Sequence, residues 1–139
     1  VLMVQPLTFM NRSGDSVVPL LRYHGVSTDD LVVVLDDADL PLGRLRVKPA
    51  GSSGGHRGLA SIIETLGTEN FTRIRLGVGR VEGSLRNYVL RAFVGVDLQS
   101  ARSMIAQAAN AVQCVLRYGV DEAMNRYNGC DAPVLQPSE

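Results

Sequence analysis

Leu31–Leu35 is an unbroken run of β-branched and aliphatic residues that stops abruptly at Asp36-Asp37-Ala38-Asp39. A strand with one face in water alternates polar and apolar side chains, whereas a strand covered on both faces does not. The run therefore predicts a central strand covered on both sides, as in α/β proteins. Ligands of open α/β sheets gather outside the carboxyl ends of strands, and here that end carries three acids. Three carboxylates within four residues repel one another, so at least one needs a cation, a histidine or backbone donors as partner. Asp36, nearest the strand end, is the functional candidate. Asp37 and Asp39 are open to turn-forming and N–H-capping roles as well. Magnesium coordination is conceivable there, but no further carboxylate cluster supports it.

The segments around this run alternate in the same way. Val1–Val4 reads as a buried strand, followed by the turn-like Gln5-Pro6-Leu7-Thr8. Val17, Leu20 and Leu21 recur at helical spacing between Ser13 and Tyr23, with Gly25 as the stop and His24 read as a cap at the helix end. Arg44–Lys48 alternates basic and apolar residues, as does Phe71–Gly79, so both predict strands. Leu59, Ile62, Ile63 and Leu66 predict a helix closed by Gly67. Asp97 is a good N-cap for a long helix to about Tyr118, with an inward stripe of Leu98, Ala101, Ile105, Ala108, Val112 and Leu116. Gly119 ends it, Asp121–Tyr127 predicts a short last helix, and the tail 131–139 reads as frayed. No internal repeat or long linker divides the chain, so 1–139 is expected to be one domain.

Composition narrows the class further. The 139 residues are 45% hydrophobic and 20% charged, close to soluble domains and unlike disordered chains. No stretch approaches the roughly 20 apolar residues of a membrane span, and no signal peptide is evident. Cys114 falls inside a helical pattern and reads as a small core residue; Cys130 lies far from any metal-type spacing. A reduced, cytoplasmic compartment is the expectation. Net charge is zero but uneven: residues 1–43 carry two basic and six acidic side chains (−4), residues 44–91 nine and three (+6), and residues 92–139 three and five (−2). A neutral chain with a basic middle suits a local polyanion contact.

Two further polar clusters interrupt the apolar scaffold. Thr8-Phe9-Met10-Asn11-Arg12-Ser13-Gly14 lies between a strand-like run and a helix, where Asn11 can cap backbone groups or meet a ligand. Gly51-Ser52-Ser53-Gly54-Gly55-His56-Arg57-Gly58 precedes a helix whose N-terminus favours anions. It lacks the Lys-Ser/Thr of a Walker A loop. By itself it would also fit a generic nucleotide-binding domain, and His56 is open to proton transfer, scaffolding or a surface role. Arg46 with Lys48, and Arg73 with Arg75, sit at period-two spacing, so each pair shares one face of its strand. Two such pairs can form a phosphate clamp.

Taken in order, Thr-Phe-Met-Asn-x-Ser-Gly, Asp-Asp-x-Asp-Leu-Pro-x-Gly, Gly-Gly-His-x-Gly-Leu-x-Ser-Ile and Arg-Ile-Arg-Leu-Gly-Val-Gly-Arg closely resemble bacterial-type peptidyl-tRNA hydrolase, from Val1 to roughly Tyr127. The resemblance implies a single, monomeric α/β domain with a twisted mixed β-sheet flanked by helices. It implies hydrolysis of the ester joining peptide to tRNA, with tRNA as partner and neither metal nor cofactor. Asp36 matches the aspartate that orients the general-base histidine, and Asn11 the asparagine that orients substrate and water. Met10, with Phe9 beside it, matches the peptide site, and His56 a histidine near the cleft. Lys48 and Arg75 match the phosphate clamp, flanked by Arg46 and Arg73. The family's Gly-Asn-Pro-Gly and Arg-His-Asn segment, whose histidine is the base, is not among these residues, so an N-terminally truncated hydrolase is the expectation. Arg57 replaces the family's asparagine after Gly-Gly-His, and Leu35 a residue often polar there. A non-catalytic RNA-binding relative is the alternative.

Overall fold

A computed structural model describes residues 1–79 and 96–129, with Val96 and Asp97 by backbone alone. The expectations for Cys130 and for the tail 131–139, and the part of the basic middle that falls in residues 80–91, lie outside the described residues. The element order is α1 (Ser13–His24), β1 (Val32–Asp37), β2 (Leu45–Lys48), α2 (Arg57–Leu66), β3 (Thr72–Gly77), α3 (Val96–Tyr118) and α4 (Val120–Tyr127), with 3-10 turns at Met10–Arg12 and Thr28–Asp30. Among the described residues, no helix is long and apolar enough to cross a membrane. Internal contacts divide the chain into two compact units, each made of two separate stretches.

The first unit comprises Val1–Val33 and Pro49–Thr72. Its core is Val18 on α1, Leu59 and Ile62 on α2, and Phe71. α1 and α2 pack directly on each other, and the crossing is set by Gly14. Its N–H donates to Ser61 Oγ at 3.0 Å, and a Cβ at Gly14 would stand 2.5 Å from the Ser61 carbonyl oxygen, with Thr65 Oγ1 also in the way. Both helices end where the sequence predicts. Gly25 (φ 63°) and Gly67 (φ 76°) take left-handed conformations that other residues adopt only at a cost.

Val1–Val4 corrects the expectation of a buried strand. The segment belongs to no regular element, and Val1, Leu2, Met3 and Val4 are all exposed. An apolar run becomes a strand only by pairing with a neighbouring backbone, and no described strand pairs with this one.

The second unit comprises Val34–Lys48 and the described part of Arg73–Glu139. The mixed sheet has the order β1-β3-β2. β2 and β3 are antiparallel, with Leu45 opposite Leu76, Arg46 opposite Arg75, Val47 opposite Ile74, and Lys48 opposite Arg73. β2 alternates buried and exposed as its sequence predicts. The run at Leu31–Leu35 behaves differently: β1 extends through Asp37, lies at one side of the three described strands, and buries only Leu35 while Val34 is 49% exposed. The doubly covered centre is β3, where Arg73, Ile74 and Arg75 are all buried. The correction has a physical reason. Arginine can bury its long stem in a central strand when its head finds partners, and hydropathy alone cannot register that.

α3 reaches Tyr118 as predicted, and Gly119 (φ 92°) separates it from α4. Its inward face is turned from the expected stripe. Ala101, Met104, Ala108, Ala111 and Cys114 are buried, whereas Ile105 and Leu116 are exposed. Small side chains let a helix approach its support closely, so the alanine-rich face wins over the more apolar one. Cys114 is a free, buried thiol, as the helical pattern suggests.

β2 is the other outer strand of the three, and its outward backbone groups need partners. Asn128, just beyond α4, supplies them: its side chain accepts from Val47 N–H at 2.6 Å and donates to Val47 C=O at 2.8 Å.

Gly14→Ala should lower stability by about 1–3 kcal/mol in a denaturant titration. Helix propensity alone predicts a gain of about 1 kcal/mol, so any stabilisation would refute the close crossing. Asn128→Leu, which keeps volume but loses both hydrogen bonds, should cost about 1–3 kcal/mol in the same titration.

Candidate functional site

In the first unit Met10 and His56 meet at the start of α2, where Arg57 is the first helical residue. Gly54 (φ 59°) and Gly55 (φ 85°) bend the chain into the helix, and Gly55 N–H donates to Ser53 Oγ at 3.3 Å. His56 is the N-cap: its Nδ1 accepts from Leu59 N–H at 3.2 Å, and its carbonyl accepts from Ala60 N–H at 2.9 Å. The ring nitrogen Nδ1 thus acts as the acceptor that caps the first turn of α2. Of the three roles open to His56, scaffolding is the one this geometry displays.

Met10 stands against the same turn. A Cβ on Gly58 would lie 2.5 Å from Met10 Sδ, 3.1 Å from His56 Cε1 and 3.2 Å from Ser13 Oγ. Glycine at this position is thus a notch that lets the thioether sit beside the histidine. Ser13 Oγ donates to Met10 C=O at 2.7 Å and fixes the turn from below. Phe9 and Met10 are nonetheless 81% and 57% exposed, and Arg57 is exposed at the first position of α2. Asn11 is exposed within the 3-10 turn and does not cap α1, whose N-cap residue is Arg12 with no side-chain hydrogen bond. His24 ends α1 with its ring edge-on to Tyr23 at 5.0 Å, and Gly25 is the cap itself. A surface concavity of about 300 Å³ in this unit, lined by Val18, Leu21, Arg22, Gly25, Val26, Thr28 and Leu66, contains none of the predicted site residues.

In the second unit, Asp36 is half-buried in the last turn of β1's pleat. Neighbouring strand residues project to opposite faces, so Asp36 and Asp37 look to different sides. Asp37 carries two jobs. Its Oδ1 accepts from Asp39 N–H at 2.8 Å, closing the turn, and its Oδ2 stands 3.6 Å from Arg75 Nη1. The turn is further tied to β3 by Val78 N–H to Asp37 C=O at 3.0 Å and Gly79 N–H to Leu40 C=O at 2.9 Å. Gly77 is required where this backbone crosses, since a Cβ there would collide with the Pro41 carbonyl oxygen.

The four predicted cations come together on one face. Residues directly opposite in an antiparallel pair share a face, so Arg46 with Arg75 and Lys48 with Arg73 form two adjacent cationic pairs. They differ in access: Arg46 and Lys48 are exposed, Arg75 is 8% exposed, and Arg73 is fully buried. Among the described residues, no buried side-chain nitrogen or oxygen lacks a hydrogen-bond partner. Nor does any group of three His, Cys, Asp or Glu side chains there form a metal cage.

Asn128 and Asp37 are the residues whose bearing on this face the sequence did not disclose. Asn128 is 81 positions from Val47, and no local pattern reports a contact at that separation. Asp37 at least lay in a conspicuous acidic turn, but nothing in that turn pointed to Arg75.

A family model described as peptidyl-tRNA hydrolase matches residues 1–134. The chain is 46% identical over 131 residues to the peptidyl-tRNA hydrolase of Moorella thermoacetica, covering 92% of this chain and 69% of that protein. It is 43% identical over 127 residues to that of Syntrophomonas wolfei, covering 91% and 69%. It also superposes on the crystal structure of peptidyl-tRNA hydrolase from Acinetobacter baumannii with a TM-score of 0.83 and 30% identity, covering 92% of this chain and 66% of that one. The fold is thus the α/β arrangement of that structure, and the chain spans about two thirds of the length of these relatives.

His56→Ala should cost about 0.5–2 kcal/mol of stability in thermal or denaturant unfolding, and His56→Asn should recover most of it. Equal losses in both variants would remove capping as the reason for this histidine.

Proposed function

Because the chain belongs to the peptidyl-tRNA hydrolase family, we propose that it serves in hydrolysis of the ester joining a peptide to the 3′ ribose of tRNA. The observation that carries the RNA side of this reading is the register of β2 on β3, which sets Arg46 opposite Arg75 and Lys48 opposite Arg73 on one face. A phosphate is held by cations converging from two strands far better than by one flexible side chain. Lys48 and Arg75 form the clamp, Arg46 stands exposed beside them, and Arg73 lies beneath as the buried member.

On the reaction side, Asp36 holds a histidine in the tautomer that accepts a proton from water and stabilises the imidazolium that results. Asn11 orients water and substrate. Met10 and Phe9 line the peptide side with His56 and Arg57, the latter a long cation where the family has asparagine. Neither His24, at the end of α1, nor His56, whose Nδ1 is committed to the cap of α2, suits the general-base role. The family resemblance assigns that role to the histidine of an Arg-His-Asn segment outside these residues. The chemistry needs no metal or cofactor in this scheme, and a cytoplasmic monomer acting on peptidyl-tRNA completes the reading. A non-catalytic RNA-binding relative is not favoured, since the matched relatives carry the name of a hydrolase.

Release of tRNA from a peptidyl-tRNA tests the scheme. In protein that carries the Arg-His-Asn histidine, Asp36→Asn should slow release by about 10²-fold or more, and the 139 residues alone should lag by about 10²–10⁴. A wild-type rate for Asp36→Asn would sink the assignment of Asp36, and a wild-type rate for the 139 residues would sink that of the histidine. Lys48→Ala should weaken tRNA binding evenly across tRNA sequences and lower the salt slope by about 1.

A further inference from the structure

We infer that Asp37 is a positioning residue for the phosphate clamp, acting through Arg75; the inference rests on the clamp reading above. Its neighbour Asp36 has the catalytic assignment, and the acidic turn by itself gives Asp37 no more than a local role. The sheet gives it another. Asp37 Oδ2 lies 3.6 Å from Arg75 Nη1, with only 16% and 10% of the two side chains exposed. A pair this sheltered is little screened by salt, unlike the surface pair Arg12–Asp15, whose side chains are 69% and 47% exposed.

The need for Asp37 follows from the register. Arg75 sits directly opposite Arg46, and like charges opposed across an antiparallel pair repel. β3 adds Arg73 two residues away, and Lys48 faces Arg73 in turn. Four cations on so small a face repel one another, and the Asp37 carboxylate beside Arg75 offsets part of that repulsion. Asp37 approaches from β1, on the opposite side of Arg75 from Arg46, so the row runs carboxylate, guanidinium, guanidinium across three strands. The carboxylate is itself held, because its other oxygen accepts from Asp39 N–H at 2.8 Å and its backbone carbonyl accepts from Val78 N–H. The acidic turn thus fixes the acid, and the acid fixes the arginine.

Charge counting and positioning make opposite forecasts, which makes the inference testable. Asp37→Asn keeps an oxygen for Asp39 N–H and removes one negative charge. Charge alone says the variant binds RNA more tightly. Positioning says it binds deacylated tRNA about three- to tenfold more weakly, with the slope of log affinity on log salt shallower by about 0.7–0.9, one phosphate contact. Asp37→Glu, which restores the charge, should recover most of the loss. In an Arg75→Ala background Asp37→Asn should cost nothing further, because the partner is already gone. Binding is measured with this chain well below the melting temperature of each variant, followed by circular dichroism. Arg75→Lys gives a second route that leaves Asp37 and the charge count intact: losing the planar fork should weaken binding to a similar degree. Unchanged or tighter binding by Asp37→Asn, or a full additional loss in the Arg75→Ala background, would overturn the positioning role. Wild-type binding by Arg75→Ala and Lys48→Ala together would instead remove the clamp reading on which it rests.

Discussion

Everything proposed for the RNA-facing side depends on the pairing of β2 with β3. Four ladder positions place two basic residues of one strand against two of the other, and a slip by one residue would send the cations of one strand to the opposite face. The register is held from several sides. Leu45 and Val47 are buried on the face away from the cations, as is Ile74 opposite Val47. Asn128 grips both backbone groups of Val47, the residue between Arg46 and Lys48. Arg44 C=O receives Gly77 N–H at 2.7 Å just beyond the strand end. A site made of like charges opposes its own formation, so the apolar face and the backbone ladder have to supply the stability that the charged face withholds.

The acidic turn and the basic strands are therefore parts of one electrostatic arrangement. Asp37 faces Arg75, while Asp36, one residue earlier, looks to the other side of the strand. Adjacent residues of like chemistry are thus divided by the pleat, Asp37 toward the cationic face and Asp36 toward the other. The glycine-rich turn shows a similar economy in the other unit. Gly54 and Gly55 supply the positive φ that brings His56 to the N-cap of α2, and Gly58 leaves room for Met10 beside it. These glycines, which the sequence left open to an anion or a nucleotide, here place a cap and leave room for a thioether.

How much of this was legible in the residues varies with the range of the interaction that decides it. Periodicity located α1, α2, the alternation of β2 and the short last helix, and Gly25, Gly67 and Gly119 marked where helices end. These features depend on neighbours within about four positions, so the sequence displays them directly. The order of the four motifs likewise pointed to the family, which the match over residues 1–134 and the superposition at a TM-score of 0.83 bear out. Local patterning also misled in three places. The apolar run Leu31–Leu35 pointed to a centre that β3 occupies among the described strands, Val1–Val4 lies exposed, and α3 turns its small residues inward while Ile105 and Leu116 face out.

The sequence by itself determined the element types, the helix ends, the family and the set of residues from which a site can be drawn. Those are consequences of backbone propensity, side-chain period and the chemistry of each residue. Only the tertiary structure decided which arginine is buried and which exposed, that Arg46 stands opposite Arg75, that Asp37 lies 3.6 Å from Arg75, and that Asn128 pairs with the backbone of Val47 in β2. Each of those is a contact between residues dozens of positions apart. Their energies depend on distance and desolvation in space, and a linear pattern of charge or hydropathy contains neither.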